Sequence, residues 1–423
     1  MLKHARTILL SIAGLLVVSG LVYQIPAVQS RLVWRFEVWS TYLHNVVDPV
    51  GKMPTPVPST PFATFTPNPP TATPAATQLP TPTLPPIPAQ VSLPPPKWVA
   101  QLDNNCGPDT LAMVLSMFGW NVDQLDIDKI IKPVVADRNV NPDELQYYVL
   151  KYTKGTLGAQ YRVAGDLNLI KRLLAANYPV IIEEQSKVDP GWENGPNDDL
   201  WDAHYLLITG YDDQSSVVIA QDSNHGPNLK IPYDKLMVDW KPFNYLYMVI
   251  YLPKDEDEVK SILGENWDPD QNRQNAMAIA QADVTTNPKT DASGDAFGWF
   301  NLGSSLVHFG RYNEAAEAFD NAYKIGLPQR MTRYQFFPFF AYFNADRIDY
   351  LLTLTENTYK LIPGNYSEEA LLWHGYALLR KGDNAGALAD WNKALKVHPD
   401  YCDAEKAINN YIQPTYQLTN CSP

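Results

Sequence analysis

One cysteine stands alone in the first four hundred residues of this 423-residue chain: Cys106, within QLDNNCGPDTLAMVLSMFGW, residues 101 to 120. It lies just ahead of an apolar run with helical spacing, Leu111, Val114, Leu115 and Phe118. That places the sulfur near a helix N-terminus, where a thiolate is favoured over a thiol. A thiolate nucleophile also needs an imidazole from elsewhere in the fold and, when it attacks a carbonyl, a donor for the oxyanion that forms. Gln101, five residues upstream, carries an amide able to donate alongside the Cys106 backbone N–H. Between residues 97 and 255 there are two histidines, His204 at the head of AHYLLITGYDD and His225 in QDSNHGPN. Asp222 ends SSVVIAQDS, and a short turn at 212–215 would set it beside His204, where a carboxylate fixes the ring's tautomer and favours its charged form. The candidates are therefore Cys106, His204, Asp222 and Gln101, with His225 as the alternative base. The plain alternatives are a packing cysteine, a core histidine and an ordinary Asp-Ser-Asn turn.

The elements that must position these groups are legible from periodicity and caps. A helix is predicted from about Pro108 to Phe118 and ended by Gly119; a second is capped by Asn141 with Pro142 in its first turn, and Asp166 caps a third over 167–176. YPVIIEE, AHYLLITGYDD, SSVVIAQDS and NYLYMVIYL read as strands joined by turn residues, so helices come first and a largely antiparallel sheet second. The acidic stretch ENGPNDDLWD lacks the regular oxygen spacing of a metal loop and reads as a loop beside the site. No motif asks for a metal or cofactor.

The N-terminal portion has a different character. TILLSIAGLLVVSGLVY, residues 7 to 23, carries no charge and follows Lys3 and Arg6, so residues 1–27 are predicted to be an uncleaved transmembrane helix that anchors the chain in a membrane. Over residues 28–50, Leu32, Phe36, Trp39, Leu43 and Val46 form an apolar helical stripe suited to a membrane interface or to a second copy of itself. Sixteen of the 36 prolines fall between residues 54 and 96. Proline removes backbone donors and fixes φ, so 53–96 is predicted to be an extended Pro/Thr-rich linker, the kind of stalk that suits an extracytoplasmic location. A net charge of −13 argues against nucleic acid as a partner.

Beyond a helical connector at 256–295, the chain repeats itself. Gly303, Ala315, Phe319 and Ala322 match Gly375, Ala387, Trp391 and Ala394 at an offset of 72 residues. Halving the offset finds a degenerate middle copy in which Leu351, Thr355 and Thr358 occupy the later slots. Small residues let paired helices approach and large ones fill the space between them, and the pattern over 296–400 resembles the tetratricopeptide repeat, implying an all-α solenoid that binds a protein partner or substrate. The aromatic run Tyr334 to Phe343 is expected to be clamped between the two folded regions. Cys402 and Cys421 would pair in an oxidising compartment, pinning the tail 401–423.

Taken together, QLDNNCGPDTLAMVLSMFGW, YPVIIEE, AHYLLITGYDD, QDSNHGPN and DKLMVDW resemble the papain-like cysteine peptidase domain of the bacteriocin-processing (double-glycine) family, in its stand-alone branch. The resemblance covers 97–255 and implies an α+β papain-like domain with Cys106 as nucleophile, His204 as general base, Asp222 as orienting carboxylate and Gln101 as oxyanion donor. It implies hydrolysis of a peptide or protein substrate through an acyl-enzyme. Two features depart from the family. Asp109 stands where a small residue is usual, and would oppose the thiolate if aimed at the sulfur or else cap the helix; no transporter segment is present, so leader cleavage is not carried over. The other readings are an inactive peptide-binding module and an amidase or acyl transferase acting on cell-wall peptides.

Overall fold

The structure, a computed structural model, describes scattered positions between 14 and 47 and then residues 85–134, 137, 139–187, 201–286, 292–360 and 367–413. Most of the expected anchor, the linker as far as residue 84 and Cys421 lie outside these residues. Among the described residues no helix is long and apolar enough to cross a membrane. The stripe of Leu32, Phe36, Trp39, Leu43 and Val46 is helical and exposed.

The first folded region opens with a strand that composition had hidden. β1 (Gln90–Ser92) lies inside the expected linker but pairs antiparallel with Tyr211 and its neighbours, while Pro88 accepts a hydrogen bond from the Tyr211 hydroxyl at 2.6 Å. The sheet of this domain therefore includes residues 90–92, ahead of the boundary expected at 97. Its prolines flank the strand instead of interrupting its ladder, which is where a sheet tolerates them. Gly210 is required at this crossing, because a Cβ there would lie 2.7 Å from the Val91 carbonyl oxygen.

Three helices follow: α1 (Cys106–Met117), α2 (Gln124–Ile131) and α3 (Pro142–Tyr152). Asp123 and Asn141 close capping boxes on α2 and α3, with Asp126 and Glu144 reaching back. Such caps satisfy N–H groups that the first turn leaves unpaired. After β2 (Gly158–Arg162), Asp166 accepts from the Leu169 N–H at the start of α4 (Leu167–Ala175). Next come β3 (Val180–Lys187), β4 (Trp201–Asp212), β5 (Val217–Asp222), β6 (Gly226–Pro232), α5 (Tyr233–Trp240) and β7 (Tyr247–Tyr251). The strand order is β2-β7-β3-β4-β5-β6, with every pairing antiparallel. The pleat sends alternate residues to opposite layers. Tyr205 and Leu207 of β4 pack with Leu111 and Val114 of α1, and Leu206 and Ile208 with Ile170 and Leu173 of α4.

The remainder is helical: α6 (Glu256–Leu263), α7 (Pro269–Thr286), α8 (Ala292–His308), α9 (Tyr312–Ile325), α10 (Met331–Tyr334), α11 (Phe337–Asn344), α12 (Ile348–Lys360), α13 (Glu368–Arg380), α14 (Asn384–Val397) and α15 (Cys402–Tyr411). The matched residues are what hold the pairs together. A Cβ on Gly303 would lie 2.7 Å from the Phe319 ring, and one on Gly375 would lie 2.4 Å from that of Trp391. The middle pair reverses the sizes, with Phe339 in the glycine slot and Thr355 in the aromatic slot, both fully buried. That exchange explains why the middle copy reads as degenerate. Cys402 is disulfide-bonded, and the Cys421 expected to pair with it lies outside the described residues.

The aromatic run is broken at Gln335 into α10 and α11, and Pro338 falls in the first turn of α11, where its missing N–H is harmless. Tyr334 packs edge-on against Trp201 and hydrogen bonds to Asp202, while Gln335 donates to the Pro242 carbonyl at 2.7 Å. The start of the run is thus packed between the two regions, Phe339 and Tyr342 are buried, and Phe340 is exposed. Asn301 and Asn272 add cross-links to the Lys241 and Val163 carbonyls.

Candidate active site

Cys106 is the first residue of α1, so its backbone N–H belongs to the first turn, whose N–H groups point out of the helix toward the cleft. The loop before it is fastened from below. The Gln124 side chain accepts from the Leu102 N–H at 2.7 Å and donates to the Ala100 carbonyl at 3.0 Å, while Lys132 donates to the Asn104 carbonyl at 2.9 Å. These bonds hold the chain on both sides of Gln101. Asn104 adopts a left-handed φ of 53°, which asparagine tolerates better than most residues.

His204, near the start of β4, is buried and its Nε2 lies 2.9 Å from Asp222 Oδ1. Cys106 lines the same cleft beside this ring and interacts with it electrostatically. Burial works against the charged ring, yet Asp222 and the nearby Cys106 outweigh it and raise the His204 pKa well above the ordinary histidine value. Asp222 in turn accepts from His204, from His225 Nδ1 at 2.7 Å, and from the N–H groups of Asn224 at 2.7 Å and His225 at 3.1 Å. Burial alone would raise its pKa, but the two imidazoles hold it well below the usual carboxylate range.

Gln101 is tied to the same turn. Its N–H donates to the Ser223 carbonyl at 3.0 Å, and its Oε1 accepts from the Ser223 hydroxyl at 2.7 Å. With the amide oxygen engaged, the amide nitrogen is the end free to face the cleft. The Asp222–Ser223 pair therefore fixes both the imidazole and the amide. The cleft, about 460 Å³, is lined by Gln101, Cys106, His204, Glu183 and Ser223 of the first region and by Tyr334 of the helical half.

Of the four residues picked from sequence, Gln101, Cys106 and His204 line one cleft and Asp222 lies behind His204. His225 does not line it; the ring binds the far oxygen of Asp222 and is half exposed. Asp109 neither caps the helix nor faces the sulfur. It opens on a separate cavity of about 280 Å³ with Met113, Ser116 and Trp120, where burial raises its pKa to about 7. Sequence reasoning missed Glu183 and Glu184. Glu183 lines the cleft, and burial, then the nearby Cys106, pushes its carboxyl well up. Glu184 pairs across the ladder with His204 and is pushed up to about 7 by burial. The available signal was two consecutive carboxylates at the end of a β-branched run, where one would expect at most one to face solvent.

Residues 91–248 match the model of the Peptidase_C39 like family. No curated protein matches the chain. With helices against an antiparallel sheet, and a cysteine at a helix start facing a histidine on a strand, that match supports a papain-like C39 cysteine peptidase domain in this part of the chain.

Proposed function

We propose that this chain hydrolyses peptide bonds through a Cys106 acyl-enzyme. What carries the reading is the position of His204, which lines one cleft with Cys106 and is hydrogen-bonded from behind to a buried Asp222 that accepts four bonds. In the reaction His204 takes the thiol proton and the sulfur attacks the substrate carbonyl. The oxyanion is held by the Gln101 amide and the Cys106 N–H, and the imidazolium returns its proton to the leaving amine. His204 then draws a proton from water, which attacks the thioester and frees Cys106.

The helical half is read as a tetratricopeptide-like module for a partner or substrate, supported by the Gly303–Phe319 and Gly375–Trp391 packing. Since Tyr334 walls the cleft, a polypeptide held by these helices would enter near Cys106. The N-terminal segment is read as a membrane anchor that holds both regions outside the cytoplasm, a setting that suits the Cys402 disulfide. The test is a library of internally quenched peptides with mass detection of the acyl-enzyme. Turnover with a +acyl adduct on Cys106, both lost in Cys106→Ala, is the expected result; a wild-type chain that neither cleaves nor acylates across the library contradicts the reading.

A further inference from the structure

Where the helical half meets the first region, a second group of titratable residues is buried. Asp137 lies in the loop after α2, Glu144 on α3, Glu368 in the first turn of α13 and His398 just after α14. All four are at most 3% exposed. His398 Nδ1 lies 3.6 Å from Glu368 Oε1, 3.7 Å from Glu144 Oε1 and 3.9 Å from Asp137 Oδ2.

We propose that Asp137, Glu144, Glu368 and His398 hold a divalent transition-metal ion, with zinc the best match, and that this ion clamps the helical half onto the peptidase-like domain. The chemistry of the set selects the ion. One imidazole with carboxylates suits zinc and its first-row neighbours, whereas calcium and magnesium prefer an all-oxygen shell. Tetrahedral zinc with bonds of about 2.1 Å separates its ligand atoms by roughly 3.4 Å. The three distances from His398 exceed that by a few tenths, and the ligand atoms of Asp137, Glu368 and His398 all lie within 4.8 Å of one another, so these three form the core of the shell and Glu144 completes it by shifting inward.

Ordinary roles account for part of the cluster and leave the rest unexplained. Glu144 Oε2 accepts from the Asn141 N–H at 2.6 Å as a helix cap, and the neighbouring Glu369 accepts from the Asn141 side chain at 2.9 Å. Asp137 Oδ1 accepts from the Asn139 N–H at 3.1 Å. By contrast Asp137 Oδ2 and Glu368 Oε2 are buried with no hydrogen-bond partner among the described residues. Leaving a carboxylate oxygen dry and unpaired costs far more than a mismatched surface contact. Among the four carboxyl groups of Asp137, Glu144, Glu368 and Glu369, Lys132 faces Asp137 and Glu368, and a metal-bound His398 is neutral. An ion of charge +2 offsets most of the remaining negative charge.

The ligands come from both regions, so binding the ion is binding the regions together. The same cluster touches the catalytic loop through Lys132, which faces Asp137 and donates to the Asn104 carbonyl.

The test uses the full chain, stripped with a chelator and then given zinc. One equivalent should be retained on desalting, with an X-ray absorption spectrum showing nitrogen and oxygen neighbours and no sulfur. The thermal midpoint should rise by roughly 5 °C or more. Glu368→Gln and His398→Ala should lose that equivalent, while Cys106→Ala keeps it. A chain that retains no stoichiometric zinc overturns the proposal, as does a sulfur-bearing shell, which would place the ion at Cys106. Should the two variants fold poorly, the wild-type spectrum and midpoint decide alone: a midpoint unmoved by zinc but rising as the pH falls would mean the cluster is closed by protons instead.

Discussion

The buried carboxylate–histidine clusters at the cleft and at the interface between the two regions are built in opposite ways. At the cleft, Asp222 accepts two imidazoles and two backbone N–H groups and stays ionised. At the interface, Asp137 and Glu368 keep oxygens without partners, and burial pushes both toward the neutral acid. Burial is common to both, so burial does not decide charge; the supply of donors does. A carboxylate that must orient a base is given four donors, and one with too few is a place for a cation.

The largest effects should separate the clusters by function. Asp222→Asn should lower peptide turnover by about 10³- to 10⁴-fold, as expected when an orienting carboxylate can no longer hold the correct tautomer. Asp137→Asn should change turnover by less than about tenfold, since it acts on docking rather than on the base. Steady-state kinetics on one peptide would compare them, and equal losses would erase the distinction. The pH profile adds a direction. Because Asp222 helps to raise the His204 pKa, the alkaline fall in turnover should move to lower pH in Asp222→Asn.

Next in size is the amide. Gln101→Ala should cost about 10²-fold in kcat with little change in KM, as for the loss of one oxyanion donor. Ser223→Ala leaves the amide present but free to rotate, so a loss of about tenfold is expected. A Ser223→Ala chain as impaired as Gln101→Ala would mean that the hydroxyl does more than orient.

A smaller effect concerns stability. Burial raises Asp109 from 3.8 to about 7, so the folded state holds its proton more tightly than the unfolded chain. Its contribution is most favourable below pH 4 and is lost as the pH rises through about 7. Asp109→Asn should therefore gain about 2–4 kcal/mol over the wild type at pH 8.5 and about half of that at pH 5.5. Denaturant unfolding at the two pH values measures this, and a pH-independent difference would contradict it. Smallest of all, His225→Ala removes one of four donors from Asp222 and should cost only a few-fold in turnover, against about 10⁴-fold for His204→Ala.

The sequence made the cleft readable because each part carries a local signal. Cys106 precedes an amphipathic helix, His204 heads an alternating strand, and Asp222 ends the next strand across a short turn. Gln101 was found through its spacing from Cys106, but its anchor Ser223 was not, since a serine in a turn carries no sign of what it holds 122 residues away. Glu183 and Glu184 were hidden because a strand pattern does not reveal which end is buried. β1 was masked by its flanking prolines. The interface cluster was the least legible, because its two halves lie more than 200 positions apart and its members have ordinary local excuses, a cap for Glu144 and a first-turn acid for Glu368.

The most direct test of the central claim is the rate at which iodoacetamide alkylates Cys106 in the full chain at pH 6, followed by mass spectrometry, beside His204→Ala. Labelling at least tenfold faster in the wild type is the expected result, since an imidazolium paired with Cys106 keeps the sulfur reactive below neutral pH. Equal, slow labelling of both chains would contradict it, leaving Cys106 an ordinary thiol in a cleft that binds peptides without cutting them.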